Sequence, residues 1–164
     1  MIVFRLFIYF CLAFSLFVGQ EAQANFAFAL VGKRNNESEE RNRPAEVAGL
    51  VVLHSNGDYK YELPLIDFLD SENYLNYLRA LGLEDDQDNR DEYDRRCVEE
   101  QIGCQVNGPF WNDLLDSRFI VFSIDSSQQP EKGIILSVEE ALDMCNKGKI
   151  NQEYISNIIM FVEP

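Results

Sequence analysis

Two nearly continuous apolar runs, residues 47–53 and 119–124, constrain this chain more than any other feature of its sequence. A strand with one wet face alternates apolar and polar residues. A strand without that alternation needs cover on both faces, so these two runs belong inside a sheet. Three further segments read as strands. Phe26, Phe28 and Leu30 alternate with Ala27 and Ala29, giving one heavy face. After His54, the Asn56-Gly57 pair favours a type I′ hairpin turn, and Tyr59, Tyr61 and Leu63 then alternate with Lys60 and Glu62. Residues 133–136 form a shorter apolar run.

Helical spacing appears twice. Leu65, Ile66, Phe68 and Leu69, then Tyr74, Leu75, Leu78 and Leu81, make one apolar stripe. Asp70 or Ser71 can cap a restart within it, and Gly82 stands where a C′ residue ends the helix, which is expected to lie across the hairpin. Ser137-Val138-Glu139-Glu140 is a capping box, followed by an inner stripe of Val138, Ala141, Leu142 and Cys145 that ends near Gly148. Pro109 is expected to start a short helix turning Phe110, Trp111, Leu114 and Leu115 inward. Residues 155–162, mostly apolar, read as a last, centrally paired strand. The order β-ββ-α-ββ-α-β predicts an α+β domain, a mostly antiparallel sheet with two main helices packed on one face.

The first 24 residues are expected to be a secretory signal peptide. Arg5 supplies a positive start, residues 6–18 are apolar apart from Ser15, and Ala22-Gln23-Ala24 is a small-x-small cleavage site, so cutting falls after Ala24. Residues 2–18 fall short of the roughly 20 a spanning helix needs, so no stable membrane insertion is expected after cleavage. Residues 25–164 then form a single domain, secreted or periplasmic. Within it, residues 33–46 carry eight charges, three Asn and one Pro without apolar periodicity, the pattern of a mobile loop. Asn36-Glu37-Ser38 in that loop is a glycosylation triplet, a short motif that chance readily produces.

The whole chain carries a formal charge of −14, and the signal segment removes one Arg and one Glu, leaving that charge unchanged. Nucleic acid and anionic membranes need a basic patch and are excluded as partners on this balance. Acidity concentrates in residues 84–104, where Glu84 to Glu100 includes nine acidic residues against three Arg. Cys11 leaves with the signal, so Cys97, Cys104 and Cys145 remain. A Cys97–Cys104 disulfide is expected if Gly103 turns the chain, because a continuous helix would hold the sulfurs about 10 Å apart. Pairing of Cys145 with either is the rival arrangement, and three buried thiols the third.

No catalytic frame is legible. His54 is the only histidine, and the candidate nucleophiles Ser55, Ser123 and Cys145 sit in no recognisable motif. The acidic run fails the calcium-loop register, since Asn89 and Arg95 fall where Gly and a bidentate Glu are required. One His and three scattered Cys do not make a zinc site, so neither metal nor cofactor is expected. The leading expectation is a non-enzymatic, exported acidic binding protein, such as an inhibitor or immunity protein for a basic partner. Asp86, Asp88, Asp91, Tyr93 and Asp94 are its candidate contacts, since an acidic face steers a cationic partner while an aromatic anchors it. The alternatives are a small secreted hydrolase acting on cell-wall peptide or glycan, and a calcium-stabilised module.

Overall fold

The two apolar runs flank the same strand. A computed structural model describes residues 25–33, 46–66, 71–110 and 119–162. Strand β1 (Asn25–Lys33) pairs antiparallel with β2 (Glu46–His54) along one edge and parallel with β6 (Phe119–Asp125) along the other. The sheet extends through β5 (Asn107–Phe110) on β6 and β7 (Ile134–Ser137) on β2, both antiparallel. Two short strands, β3 (Tyr61–Glu62) on β2 and β4 (Leu65–Ile66) on β1, join the central pair where β2 leaves β1. The protein is α+β with a mixed sheet, and one of the six strand pairings among the described residues is parallel. Gly49 permits the close approach of β7, because a Cβ there would lie 2.3 Å from the Leu136 carbonyl oxygen.

Among the described residues four α-helices accompany the sheet: α1 (Ser71–Leu81), α2 (Gln87–Ile102), α3 (Val138–Asn146) and α4 (Ile155–Val162). They do not share one face. Phe28 and Leu30 of β1 join Ala141, Cys145, Tyr154 and Ile158 in one core cluster. Ala27, Ala29 and Val31, which point the other way, join Val98 and Ile102 in a second. Helices therefore cover both faces, which corrects the one-face expectation and supplies the two-sided cover that the apolar strands require. Small Ala27 and Ala29, both fully buried, leave room for α2 on their side.

The capping box is formed. The Ser137 amide donates to Glu140 Oε2 at 2.8 Å, and the Glu140 amide donates to Ser137 Oγ at 3.2 Å. Gly82 takes the left-handed conformation (φ 66°) that ends α1, and the Leu83 amide returns to the Leu78 carbonyl at 2.9 Å. The Asn56-Gly57 turn is wider than expected, since Gly57 does not adopt positive φ. Ser55 Oγ accepts from the Gly57 amide at 3.0 Å and donates to Glu62. The Lys60 and Tyr61 amides turn away to the Lys149 carbonyl (3.1 and 3.0 Å), so strand pairing resumes only at Tyr61.

Residues 155–162 are a helix, which corrects the expected strand. An eight-residue apolar run fits either element, and here the local start decides. Asn151 Oδ1 accepts from the Glu153 amide at 3.1 Å to open a 3-10 turn (Gln152–Tyr154) that runs into α4. Tyr154 and Ile158 then fall one turn apart and both are buried. Phe110 belongs to β5 rather than to a helix starting at Pro109. Trp111, Leu114 and Leu115, the signal segment, residues 34–45 and the Phe68-Leu69-Asp70 stretch lie outside the described residues. Among the described residues no helix is long and apolar enough to cross a membrane.

Candidate protein-binding face at the α1–α2 corner

The acidic segment is mostly one helix. Asp86 is the N-cap of α2, accepting from the Asn89 amide at 2.8 Å, and acidic residues at the start of the helix suit its dipole. Gly103 (φ 72°) is the C-cap, and Lys132 completes that end by donating from its amide to Ile102 O (3.0 Å) and from Nζ to Glu100 O (2.9 Å). On the sheet side, α2 buries only Asp94, Val98 and Ile102. Gln101 fastens it to β4, accepting from the Leu65 amide (3.0 Å) and donating to the Leu65 carbonyl (2.7 Å) as a neighbouring strand would.

Helix α1 packs on α2 and not across the hairpin. The Tyr93 ring lies 5.3 Å from those of both Tyr74 and Tyr77. Arg90 sits over the Tyr74 ring at 4.0 Å, and Arg96 over the Tyr77 ring at 5.5 Å. Tyr74 Oη donates to Asp85 Oδ1 at 3.0 Å; burial, then that bond, push the phenol above its usual pKa.

The five expected contact residues are placed in different roles. Asp86 is the cap, and Asp88 is exposed in the first turn. Asp91 is half-buried and accepts from Gln87 Nε2 at 2.6 Å. Tyr93 is half-buried in the ring cluster. Asp94 is 1% exposed, so its carboxylate belongs to the interior and not to the surface. Along the outer side, Arg95 binds Glu92 at 2.6 Å and Glu99 at 2.5 Å, and Arg96 binds Glu92 at 2.7 Å. Burial pushes Glu92 up, but the Arg95 and Arg96 hydrogen bonds outweigh it and hold the carboxyl below its ordinary range.

Sequence reasoning missed Leu81 and Leu83. Leu81 completes the α1 stripe but reaches past the end of the packing, and it is 52% exposed. Leu83 follows the Gly82 turn and is 38% exposed. Next in the chain come Glu84, Asp85 and Asp86, all exposed, then Asp88. The available signal was the stripe itself, whose last leucine directly precedes the helix-ending glycine.

Cys97 and Cys104 are free thiols, which corrects the expected disulfide; Cys145 is free as well. Helix α2 continues to Ile102, and the turn at Gly103 comes too late to fold Cys104 back over a seven-residue separation. Burial raises both thiols above their usual pKa and lifts Cys145 to about 11, so all three stay protonated at neutral pH. His54 is exposed, its ring 5.4 Å from Tyr61, while Ser55 donates to Glu62. Among the described residues, no three His, Cys, Asp or Glu side chains converge as a metal would require.

A polar cavity of about 400 Å³ lies at the other end of α2, lined by Arg95, Glu99, Gln105, Asn107 and Gln128 among others. Part of its wall is committed, with Arg95 bound to two carboxylates and Glu99 Oε1 also accepting from the Val106 amide at 3.0 Å, while the buried Gln128 Oε1 there has no hydrogen-bond partner. The chain matches no family model, no curated protein and no solved structure.

Proposed function

We propose that this protein is an exported acidic docking module, of the inhibitor or immunity-protein kind, that binds a cationic protein through the corner joining α1 and α2. The observation that supports this reading most is the exposure of Leu81 and Leu83 beside Glu84, Asp85 and Asp88. Acidic residues alone serve solubility. Exposed leucines rimmed by carboxylates offer buried apolar area for affinity and a field for steering, and a basic amphipathic segment fits both. The caps and the Gln101 clamp support a preformed surface, which reduces the ordering cost of binding.

The experiment uses a helical Leu/Lys amphipathic peptide and a scrambled peptide of equal charge, titrated into the protein at low and high salt. Binding of the amphipathic peptide should weaken with salt, and a Leu81→Ser/Leu83→Ser variant should lose at least tenfold in affinity. A Glu84→Gln/Asp88→Asn variant, which spares the Asp86 cap, should flatten the salt dependence. Equal binding of the scrambled peptide, or indifference to both variants, removes this corner as the site.

A further inference from the structure

The polar cavity beside the C-terminal half of α2 has acceptors that the chain itself leaves unsatisfied. Glu99 Oε1 accepts from Arg95 and from the Val106 amide, which leaves the second oxygen of that carboxylate without a partner among the described residues. Gln128, another wall residue, is placed by the turn after β6, where its amide donates to the Asp125 carbonyl at 2.9 Å. Its side-chain Oε1 is buried without a hydrogen bond, a costly state for an acceptor. Nothing bonds this oxygen where it lies, and the terminal torsion of a glutamine is soft, so the amide can turn Oε1 into the cavity when a donor arrives. The wall also has a charge imbalance. Arg95 is its one cation among the described residues, and both Glu92 and Glu99 bind it, so the three groups together carry a net negative charge. Val106 supplies the one apolar side chain in the wall, and an apolar ligand would gain little there.

We propose that this cavity is a binding site for a guanidinium group. Such a group brings the positive charge that balances Glu92, Glu99 and Arg95, and its several N–H donors lie in one plane. One of them meets the free oxygen of Glu99 while another meets Gln128 Oε1, and the side-chain amides of Gln105 and Asn107 offer further acceptors. A guanidinium is also more weakly hydrated than an ammonium, so it gives up its water more readily on entering. The volume, about 400 Å³, falls in the lower part of the range for small-ligand pockets and suits a planar head group on a short stem. Two sources carry this chemistry, a free guanidino compound and an arginine side chain of another protein. Leu81 and Leu83 precede the opposite end of α2, so this site stands or falls independently of the α1–α2 corner.

The test titrates ethylguanidinium into the protein at fixed ionic strength, with the Gln128 side-chain amide and the Arg95 Nε–H followed by heteronuclear NMR. Both should shift saturably, with a Kd on the order of 1 mM for so small a ligand. Tetramethylammonium, which has the charge but no N–H, and acetate, which has the opposite charge, should each bind about tenfold more weakly or worse. Gln128→Leu should weaken ethylguanidinium binding roughly three- to tenfold, the loss of one hydrogen bond, and Glu99→Gln about tenfold or more. Leu81→Ser/Leu83→Ser should leave it unchanged, which separates a failure here from a failure at the corner. Free arginine and a blocked Gly-Arg-Gly peptide then distinguish the two sources by which of them binds more tightly. Shifts that do not saturate, equal binding of tetramethylammonium or acetate, or indifference to Gln128→Leu overturn the proposal. If Glu99→Gln fails to fold, Gln128→Leu and the ligand comparison decide.

Discussion

The two faces of the sheet are closed by opposite means. On the α3–α4 face, large rings fill the space: Phe28 stacks on Phe119 at 5.0 Å, and Tyr154 meets Phe119 edge-on at 5.9 Å. Ala141, Cys145 and Ile158 seal this layer, and all are at most 2% exposed. On the α1–α2 face, Ala27 and Ala29 admit a helix whose buried side chains are Val98, Ile102 and an aspartate. That helix is held by its ends, by Gln101 on β4 and by tyrosine rings under arginines. The difference teaches how a small domain separates two tasks. One face supplies burial, at about 1.5–3 kcal/mol for each large apolar side chain. The other accepts a highly charged helix because capping and hydrogen bonds replace part of the missing apolar area.

The largest expected effects test that division directly. Phe28→Ala should cost about 3–5 kcal/mol and Ile102→Ala about 2–4 kcal/mol in urea denaturation. A larger loss at Ile102 than at Phe28 would break the comparison. Removing the caps comes next: Asp86→Ala in α2 and Ser137→Ala in α3 should each cost about 0.5–2 kcal/mol, with α2 the more sensitive if its ends carry it.

A smaller effect separates the faces by the sign of their response to acid. Hydrogen bonds from the Ser137 amide and hydroxyl hold the Glu140 carboxyl below its ordinary range. Its contribution is therefore present at neutral pH and lost as pH falls through that lowered value, the reverse of Asp94, whose carboxyl burial pushes up to about 7. Glu140→Gln should flatten the acid limb of the stability profile below about pH 4.5 and leave the range from 5 to 8 unchanged. The smallest effect belongs to Lys147, paired with Asp143 at 2.6 Å on the exposed side of α3. Lys147→Ala should change stability by no more than about 0.5 kcal/mol, and a larger change would mean that surface pairs matter on the apolar face too.

Local signals were legible wherever their causes are local. The Ser137–Glu140 box, the Gly82 terminator and the two apolar strands beside β1 can each be read within a few residues, because the hydrogen bonds or the missing alternation involve those residues alone. The lack of alternation in β2 and β6 already demanded cover on both faces, yet nothing local said which helix lies on which side. The run of 155–162 was ambiguous by length, and the acidic segment concealed a helix whose apolar stripe is too short to show a period. The candidate site was legible in part. Its acidity and position are in the sequence, but the split between exposed Asp88, capping Asp86 and buried Asp94 is not.

By itself, then, the sequence determined the strands at the centre of the sheet, the Gly82 end of α1, the ends of α3 and the place where negative charge accumulates. Leu65 and Ile66, expected in the α1 stripe, instead form β4. Tertiary structure alone decided that Asp94 is interior, that Leu81 and Leu83 are outside, that Cys97 and Cys104 stay apart and that Arg90 rests on Tyr74. The physical reason is range. Caps, turns and alternation are settled by neighbours in the chain, whereas the burial of a particular carboxylate or leucine depends on where a helix distant in sequence comes to rest.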